Sequence, residues 1–254
     1  MGLQEITPNG TSEILSYAEE TIKFSFFIPC FNEEKNIINV VEKLTIAAST
    51  LGLSYEILVF DDCSADRTVE VVQQYQSTHP EIPLRLFANS VNCGVARNFI
   101  EGAFLGHGKY YRMVMGDDVE SIETFLTVFG EVGKADIVIP YHAGVVGRPL
   151  HRKLISRLYT VLVNVASKRH LQYYNGLPVF LRSDAIRFHV EATGLGFQAE
   201  FLLRLLQEGR SFVEIPVTAS DREGSTSLNL RNFVSVGYSI FKIYMRRLGG
   251  KNMQ

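Results

Sequence analysis

"YEILVFDDCSADRTVEVVQQYQ" (Tyr55–Gln76) is the stretch that decides the fold. It begins as an apolar strand, Tyr55–Asp62, and passes through a short polar turn. It then continues as a helix from Asp66. A strand running into a helix is half of a strand–helix–strand unit. The neighbouring sequence repeats the pattern. "KFSFFIP" (Lys23–Pro29) reads as a buried strand and "EEKNIINVVEKLTIAAS" (Glu33–Ser49) as the helix after it, its acids in the first turn where they suit the helix dipole. "LRLFAN" (Leu84–Asn89) is a third strand, "GVARNFIEGAFLG" (Gly94–Gly106) a third helix, and "YYRMVMGDD" (Tyr110–Asp118) a fourth strand. This alternation predicts an α/β fold with a mainly parallel sheet flanked by helices and joined by right-handed crossovers. In such sheets ligands collect at the carboxyl ends of the strands.

Those ends carry polar groups. The first delivers Pro29-Cys30-Phe31-Asn32-Glu33, the second Asp61-Asp62-Cys63-Ser64, the third Asn89 and then Asn92-Cys93-Gly94, the fourth Gly116-Asp117-Asp118. Adjacent carboxylates repel unless a cation lies beside them, so Asp117-Asp118 suits a divalent metal holding phosphates. A solvated turn is the alternative there, as a helix-start turn is for Asp61-Asp62.

Bulk composition narrows the class. The chain has 254 residues, 46% hydrophobic and 20% charged, enough for a substantial core. A formal net charge of -2 lacks the basic excess of a nucleic-acid binder. Cys30, Cys63 and Cys93 are odd in number and form no CxxC, so a reducing compartment is expected and no disulfide framework. Residues 1–20 lack a signal-peptide pattern, and no apolar run approaches the ~20 residues of a membrane span. No GxGxxG follows the first strand, which argues against a dinucleotide oxidoreductase.

"FIPCFNEEKNI", "YEILVFDDCSADRTVEVV" and "NCGVARNFIEGAFLGHGKYYRMVMGDD" together resemble the family 2 glycosyltransferases of GT-A (Rossmann-like) fold. Downstream, "RKLISRLY", "GLPVFLRSDAI", "GLGFQAEFLLRLLQEGRSFVEIPV" and "DREGSTS" are most similar to the dolichol- and polyprenyl-phosphate sugar synthase branch. The resemblance implies a single GT-A domain over residues 22–230, with a nucleotide-sugar half (22–120) and an acceptor half (121–230). An N-terminal arm (1–21) precedes it, and an amphipathic C-terminal helix and tail (231–254) follows.

The same resemblance implies residue roles. Pro29, Phe31 and Glu33 would frame the nucleoside, and Asp61 would accept a hydrogen bond from the base, which suits uracil or guanine better than cytosine. Asp62 would fix its loop. Arg97 would reach the donor, with a solvated surface position as its alternative. The family carries Asp-x-Asp at the fourth strand end; here Gly116 stands at the first position. Asp118 is then the metal ligand for Mg²⁺ or Mn²⁺, Asp117 positions the donor, and Glu120 restores an acid two residues on. In the acceptor half, Glu200 is the candidate general base for a hydroxyl acceptor, or a helix-first-turn acid. Arg222 of "DREGSTS" would clamp phosphates, although Ser227 stands where the branch has Lys.

The activity implied is an inverting transfer of one sugar from a UDP- or GDP-sugar to a membrane-linked acceptor such as polyprenyl phosphate. A soluble or polysaccharide hydroxyl acceptor is the rival, and an inactive nucleotide-sugar binding module a third reading. "LISRLYTVLVNVAS" (Leu154–Ser167) and the stripe Phe233, Val236, Gly237, Ile240, Phe241, Tyr244, Met245, Leu248 fit docking at a membrane surface. The expected location is cytoplasmic and peripheral to the membrane.

Overall fold

The computed structural model describes residues 3–6, 23–146, 150–187 and 196–220. Along the chain run β1 (Leu3–Ile6), β2 (Phe24–Cys30), α1 (Ile37–Thr50), β3 (Tyr55–Asp61), α2 (Thr68–Thr78), β4 (Leu84–Asn89), α3 (Val95–Leu105) and β5 (Tyr110–Met113). There follow α4 (Ile122–Gly130), β6 (Ile137–Val146), α5 (Leu150–Ser167), β7 (Val179–Leu181), α6 (Arg182–Arg187), α7 (Gly196–Gln207) and β8 (Phe212–Ser220). The fold is α/β with a mixed sheet. The chain divides into two compact units, Met1–Gly133 with Val179–His189, and Lys134–Pro178 with Val190–Gln254.

In the first unit the strands lie in the order β1-β4-β3-β2-β5-β7. The central four are parallel, as the strand–helix alternation predicts. β1 and β7 are antiparallel to their neighbours. Leu3–Ile6 is therefore an edge strand on β4 rather than a peripheral arm, with Arg85 Nε 2.8 Å from Glu5 Oε1 across the pair.

The apolar run of β2 is continuous because both faces of this sheet are covered. On one face Phe24 and Phe26 stack against Phe129 of α4, with ring centroids 5.4 and 4.9 Å apart. On the other, Phe27 meets Phe60, Phe99 and Tyr111. Successive strand residues point to opposite faces, so one short phenylalanine-rich segment anchors two aromatic layers.

The first helix begins at Ile37, four residues later than its sequence suggests, and no acid lies in its first turn. The reason is competition for backbone groups. Glu33 N donates to Thr68 Oγ1 at 2.9 Å, and Glu34 N donates to Asp66 Oδ2 at 3.1 Å. Arg67 N in turn donates to the Glu34 carboxylate at 3.0 Å. Glu33 and Glu34 thus belong to a loop joined to the neighbouring strand end.

In the second unit β6 and β8 pair in parallel from Ile137↔Phe212 to Val146↔Ser220, with a register shift between His142 and Gly144. α7 buries Phe197, Phe201, Leu202, Leu205 and Leu206. The end of α5 is tied to the following loop through Asn164, which bonds Leu171 by both its amide groups and accepts from Tyr174 Oη at 2.7 Å. Among the described residues no helix is long and apolar enough to cross a membrane.

Candidate functional site

Four strands of the first unit end in a left-handed residue: Asn32 after β2 (φ 59°), Cys63 after β3 (φ 67°), Gly94 in the loop after β4 (φ 82°) and Asp118 after β5 (φ 60°). For Asn32, Cys63 and Asp118 this conformation costs free energy, and such strain concentrates at functional sites. It is held by hydrogen bonds between loops. Asn32 N donates to Ser64 Oγ, and Ala65 N donates to Asn32 Oδ1, both at 2.8 Å.

Asp61 and Asp62 divide two tasks. Asp62 is fully engaged: Oδ1 accepts from Asn89 Nδ2 (3.0 Å) and Cys93 N (2.8 Å), and Oδ2 from Gly94 N (2.9 Å). It fixes the β4–α3 loop. Asp61 is only 2% exposed. Its Oδ2 accepts from Ser64 N at 3.1 Å, while Oδ1 is buried with no hydrogen-bond partner among the described residues. A buried carboxylate oxygen without a donor is costly unless a ligand supplies one. Phe31, next to Asp61's register partner Cys30, leaves a ring 53% exposed. Pro29 lies within β2, and the Glu33 carboxylate accepts from Asn36 Nδ2 at 2.7 Å.

At the β5 end, Gly116 is buried against the β2 end. A Cβ there would stand 3.0 Å from Cys30 Sγ and 3.1 Å from the Pro29 carbonyl oxygen. The missing first carboxylate of the acidic motif is thus matched by a neighbour that fills its space. Asp117 and Asp118 follow, both half-buried. Lys43 of α1 donates to Asp118 Oδ1 at 2.7 Å.

Glu120 is otherwise engaged. Its Oε1 accepts from Nη2 of Arg112 at 2.5 Å, and Arg112 is fully buried near the rings of Phe125 and Phe129. A buried guanidinium requires a counter-charge, so one oxygen of Glu120 serves Arg112, while Oε2 is buried with no hydrogen-bond partner among the described residues. No group of three or more His, Cys, Asp or Glu among the described residues is arranged to hold a metal ion. Asp118 Oδ2 has no described protein donor, its Oδ1 being taken by Lys43. One carboxylate suffices for Mg²⁺ where phosphates and water complete the shell.

The remaining expected residues are these. Arg97 sits on the exposed face of α3, paired with Glu101 at 2.8 Å. Its neighbour Asn98 is buried and accepts from Asn89. Glu200, in the second unit, is 2% exposed and its Oε1 accepts from Arg204 Nη2 at 3.0 Å. Arg222 and the C-terminal stripe lie outside the described residues. Sequence reasoning placed Asn32 at a strand end without a role and missed Lys43. An Asn directly after a strand is a candidate for a left-handed position, whereas Lys43, seventy-five residues from its partner, carried no local signal.

Residues 25–183, more than half of the chain, match the family model described as Glycosyl transferase family 2. The chain is 29% identical over 239 residues to the dolichol-phosphate mannosyltransferase of Pyrococcus furiosus, covering 89% of this chain and 63% of that protein. It is 23% identical to the dolichyl-phosphate beta-glucosyltransferase ALG5C of Trichomonas vaginalis, covering 89% of this chain and 72% of the relative. Its fold resembles glucosyl-3-phosphoglycerate synthase from Mycobacterium tuberculosis, solved with uridine diphosphate, at a TM-score of 0.66. That likeness has 15% identity and covers 89% of this chain and 80% of the other. The same enzyme has been solved with Mg²⁺ and uridine diphosphate. Strand ends carrying a spare buried carboxylate oxygen, on a fold of this type and within a matching family model, place the chain in glycosyl transferase family 2.

Proposed function

We propose that the carboxyl edge of the first unit binds a UDP-sugar and that the chain transfers the sugar, with inversion, to a lipid phosphate. The observation that carries the donor reading is Asp61 Oδ1, buried and without a partner among the described residues. Uracil presents one imide N–H to such an oxygen. Guanine presents N1–H and N2–H together and favours two open carboxylate oxygens, but Asp61 Oδ2 already accepts from Ser64 N. The uridine diphosphate complex of the structural neighbour supports the same base. Phe31 offers an exposed ring to the nucleoside, and Asp117 would help position the donor.

In the transfer, an acceptor oxygen forms a bond to the anomeric carbon as the bond from that carbon to the β-phosphate oxygen breaks. UDP leaves with the electron pair. Asp118 would hold a divalent cation through Oδ2, and that cation supplies charge neutralisation to the departing diphosphate. The two curated relatives, named for dolichol and dolichyl phosphate, support a lipid-phosphate acceptor. A lipid phosphate arrives as an anion and needs no base, whereas a hydroxyl does.

Calorimetry with UDP and GDP, on the wild type and Asp61→Ala, tests the donor. Tighter UDP binding that weakens in the variant is expected. Equal affinity for both nucleotides, or an unaffected variant, overturns the reading. Transfer from UDP-sugars to polyprenyl phosphate, set against a hydroxyl acceptor, tests the second half.

A further inference from the structure

We infer that α5 is a docking surface for an anionic lipid bilayer, with its axis lying along the membrane plane. This goes beyond the acceptor reading and does not require it. Leu154, Leu158, Val161, Leu162 and Val165 are 64, 59, 55, 44 and 70% exposed. Their spacing (i, i+4, i+7, i+8, i+11) places them on one face of the helix. The other face is occupied: Thr160 and Val163 are buried, and Asn164 and Ser167 are hydrogen-bonded. Among the described residues the stripe is therefore an apolar surface left over after α5 has packed, and five large side chains in a row are uncommon on a solvent-facing helix.

Charge selects the occupant. No acidic residue occurs between Asp136 and Asp184, while Arg148, Arg152, Lys153, Arg157, Lys168 and Arg169 fall there, in a chain whose net charge is -2. Arg157, exposed and one residue from Leu158, flanks the stripe, and Lys168, also exposed, directly follows the last residue of α5. A second copy of α5 laid on the stripe would set these cations against their own kind. Residues 224–254 would do the same, since that segment holds Arg231, Lys242, Arg246, Arg247 and Lys251 and no acid. An anionic lipid surface accepts the leucines and valines into its acyl boundary and the cations at its headgroups.

The chain contains no tryptophan, so Leu158→Trp gives a single indole reporter on the stripe. With vesicles mixing phosphatidylglycerol and phosphatidylcholine, its emission should shift to the blue at low salt and return as salt is raised. Phosphatidylcholine alone should give little shift. In co-sedimentation, Leu158→Glu with Val165→Glu should lower vesicle binding at least tenfold. Phe104→Glu, at an equally exposed position on α3, should leave it unchanged. UDP calorimetry on the same stripe variant should match the wild type, so failure of docking and failure of the nucleotide reading are told apart. The proposal is overturned by an indole that ignores anionic vesicles or by a stripe variant that still binds them. It is equally overturned by a wild-type dimer that the variant dissociates, or by a variant that melts well below the wild type, since either would show that protein covers the stripe.

Discussion

Lys43 Nζ and Asp118 Oδ1 are 2.7 Å apart, so an ammonium occupies one oxygen of the carboxylate proposed to hold a divalent cation. Both side chains keep some solvent exposure, which limits what the pair adds to stability, and its interest lies in competition. Removing the ammonium with Lys43→Met should strengthen Mn²⁺-assisted UDP binding. Asp118→Asn should abolish the Mn²⁺-dependent gain, a change of about tenfold, or ~1.4 kcal/mol. Calorimetric titration of UDP with and without Mn²⁺ measures both. Identical Mn²⁺ dependence in wild type and Asp118→Asn would remove Asp118 from the site.

Gly116 and Cys30 make a second coupled pair. A Cβ at position 116 would stand 3.0 Å from Cys30 Sγ, so rebuilding the usual acid with Gly116→Asp should overpack the two strand ends. The expected cost is about 1–3 kcal/mol in urea unfolding. Cys30→Ala vacates the sulfur's space, so the double variant should lose less than the sum of the singles. Additive losses would show that the sulfur does not set the limit.

Asp61→Ala should weaken UDP binding by about 1–3 kcal/mol, the scale of a hydrogen bond to a charged group. Asp62→Ala should act differently, loosening the Cys93–Gly94 loop and lowering Tm along with affinity, because both its oxygens serve protein donors. A UDP affinity unchanged in Asp61→Ala would assign that residue to the turn alone.

The contrast between these two neighbours shows where sequence is informative. The parallel core was legible because a sheet covered on both faces writes continuous apolar runs such as Phe24–Ile28, and helices interrupt them at regular intervals. The strand ends were legible as places. The division of roles between Asp61 and Asp62 came only from the family resemblance, since which oxygen stays open depends on who donates to each across some thirty residues of chain. Glu120 meets the same limit. Its two-residue spacing from Asp118 fits a ligand pair, and only the structure shows that one of its oxygens bonds the buried guanidinium of Arg112.

Acid should separate the inter-loop ties. Burial pushes the Asp66 carboxyl up, but hydrogen bonds from the Thr68 side chain and the Glu34 and Thr68 backbones outweigh it and hold the group below its ordinary 3.8. A depressed folded-state value means the contribution is fully present above 3.8 and fades as pH falls through the lower folded value. Wild type should therefore melt above Asp66→Asn at pH 7, with the gap closing only in strong acid. A gap that persists unchanged there would mean the ties do not depend on the charge.

The three thiols report on the strand ends separately. Cys30 is 2% exposed, and burial, then the charges of Asp61 and Glu33, push its thiol well above the ordinary range. Cys63 is exposed and Cys93 half-buried, each at the loop that Asp62 fixes. Since the thiolate is the reactive form, iodoacetamide should label Cys63 first and Cys93 more slowly, and reach Cys30 only on unfolding. Raising the pH should not bring Cys30 into line, because burial blocks both ionisation and access. Bound UDP should slow the labelling of Cys63, which adjoins the Asp61-Asp62 turn. Mass spectrometry of time points resolves the three sites. Native-state labelling of Cys30 at the rate of Cys63 would contradict the packing of Gly116 on its sulfur, and equal Cys63 rates with and without UDP would move the nucleotide away from the β3 end.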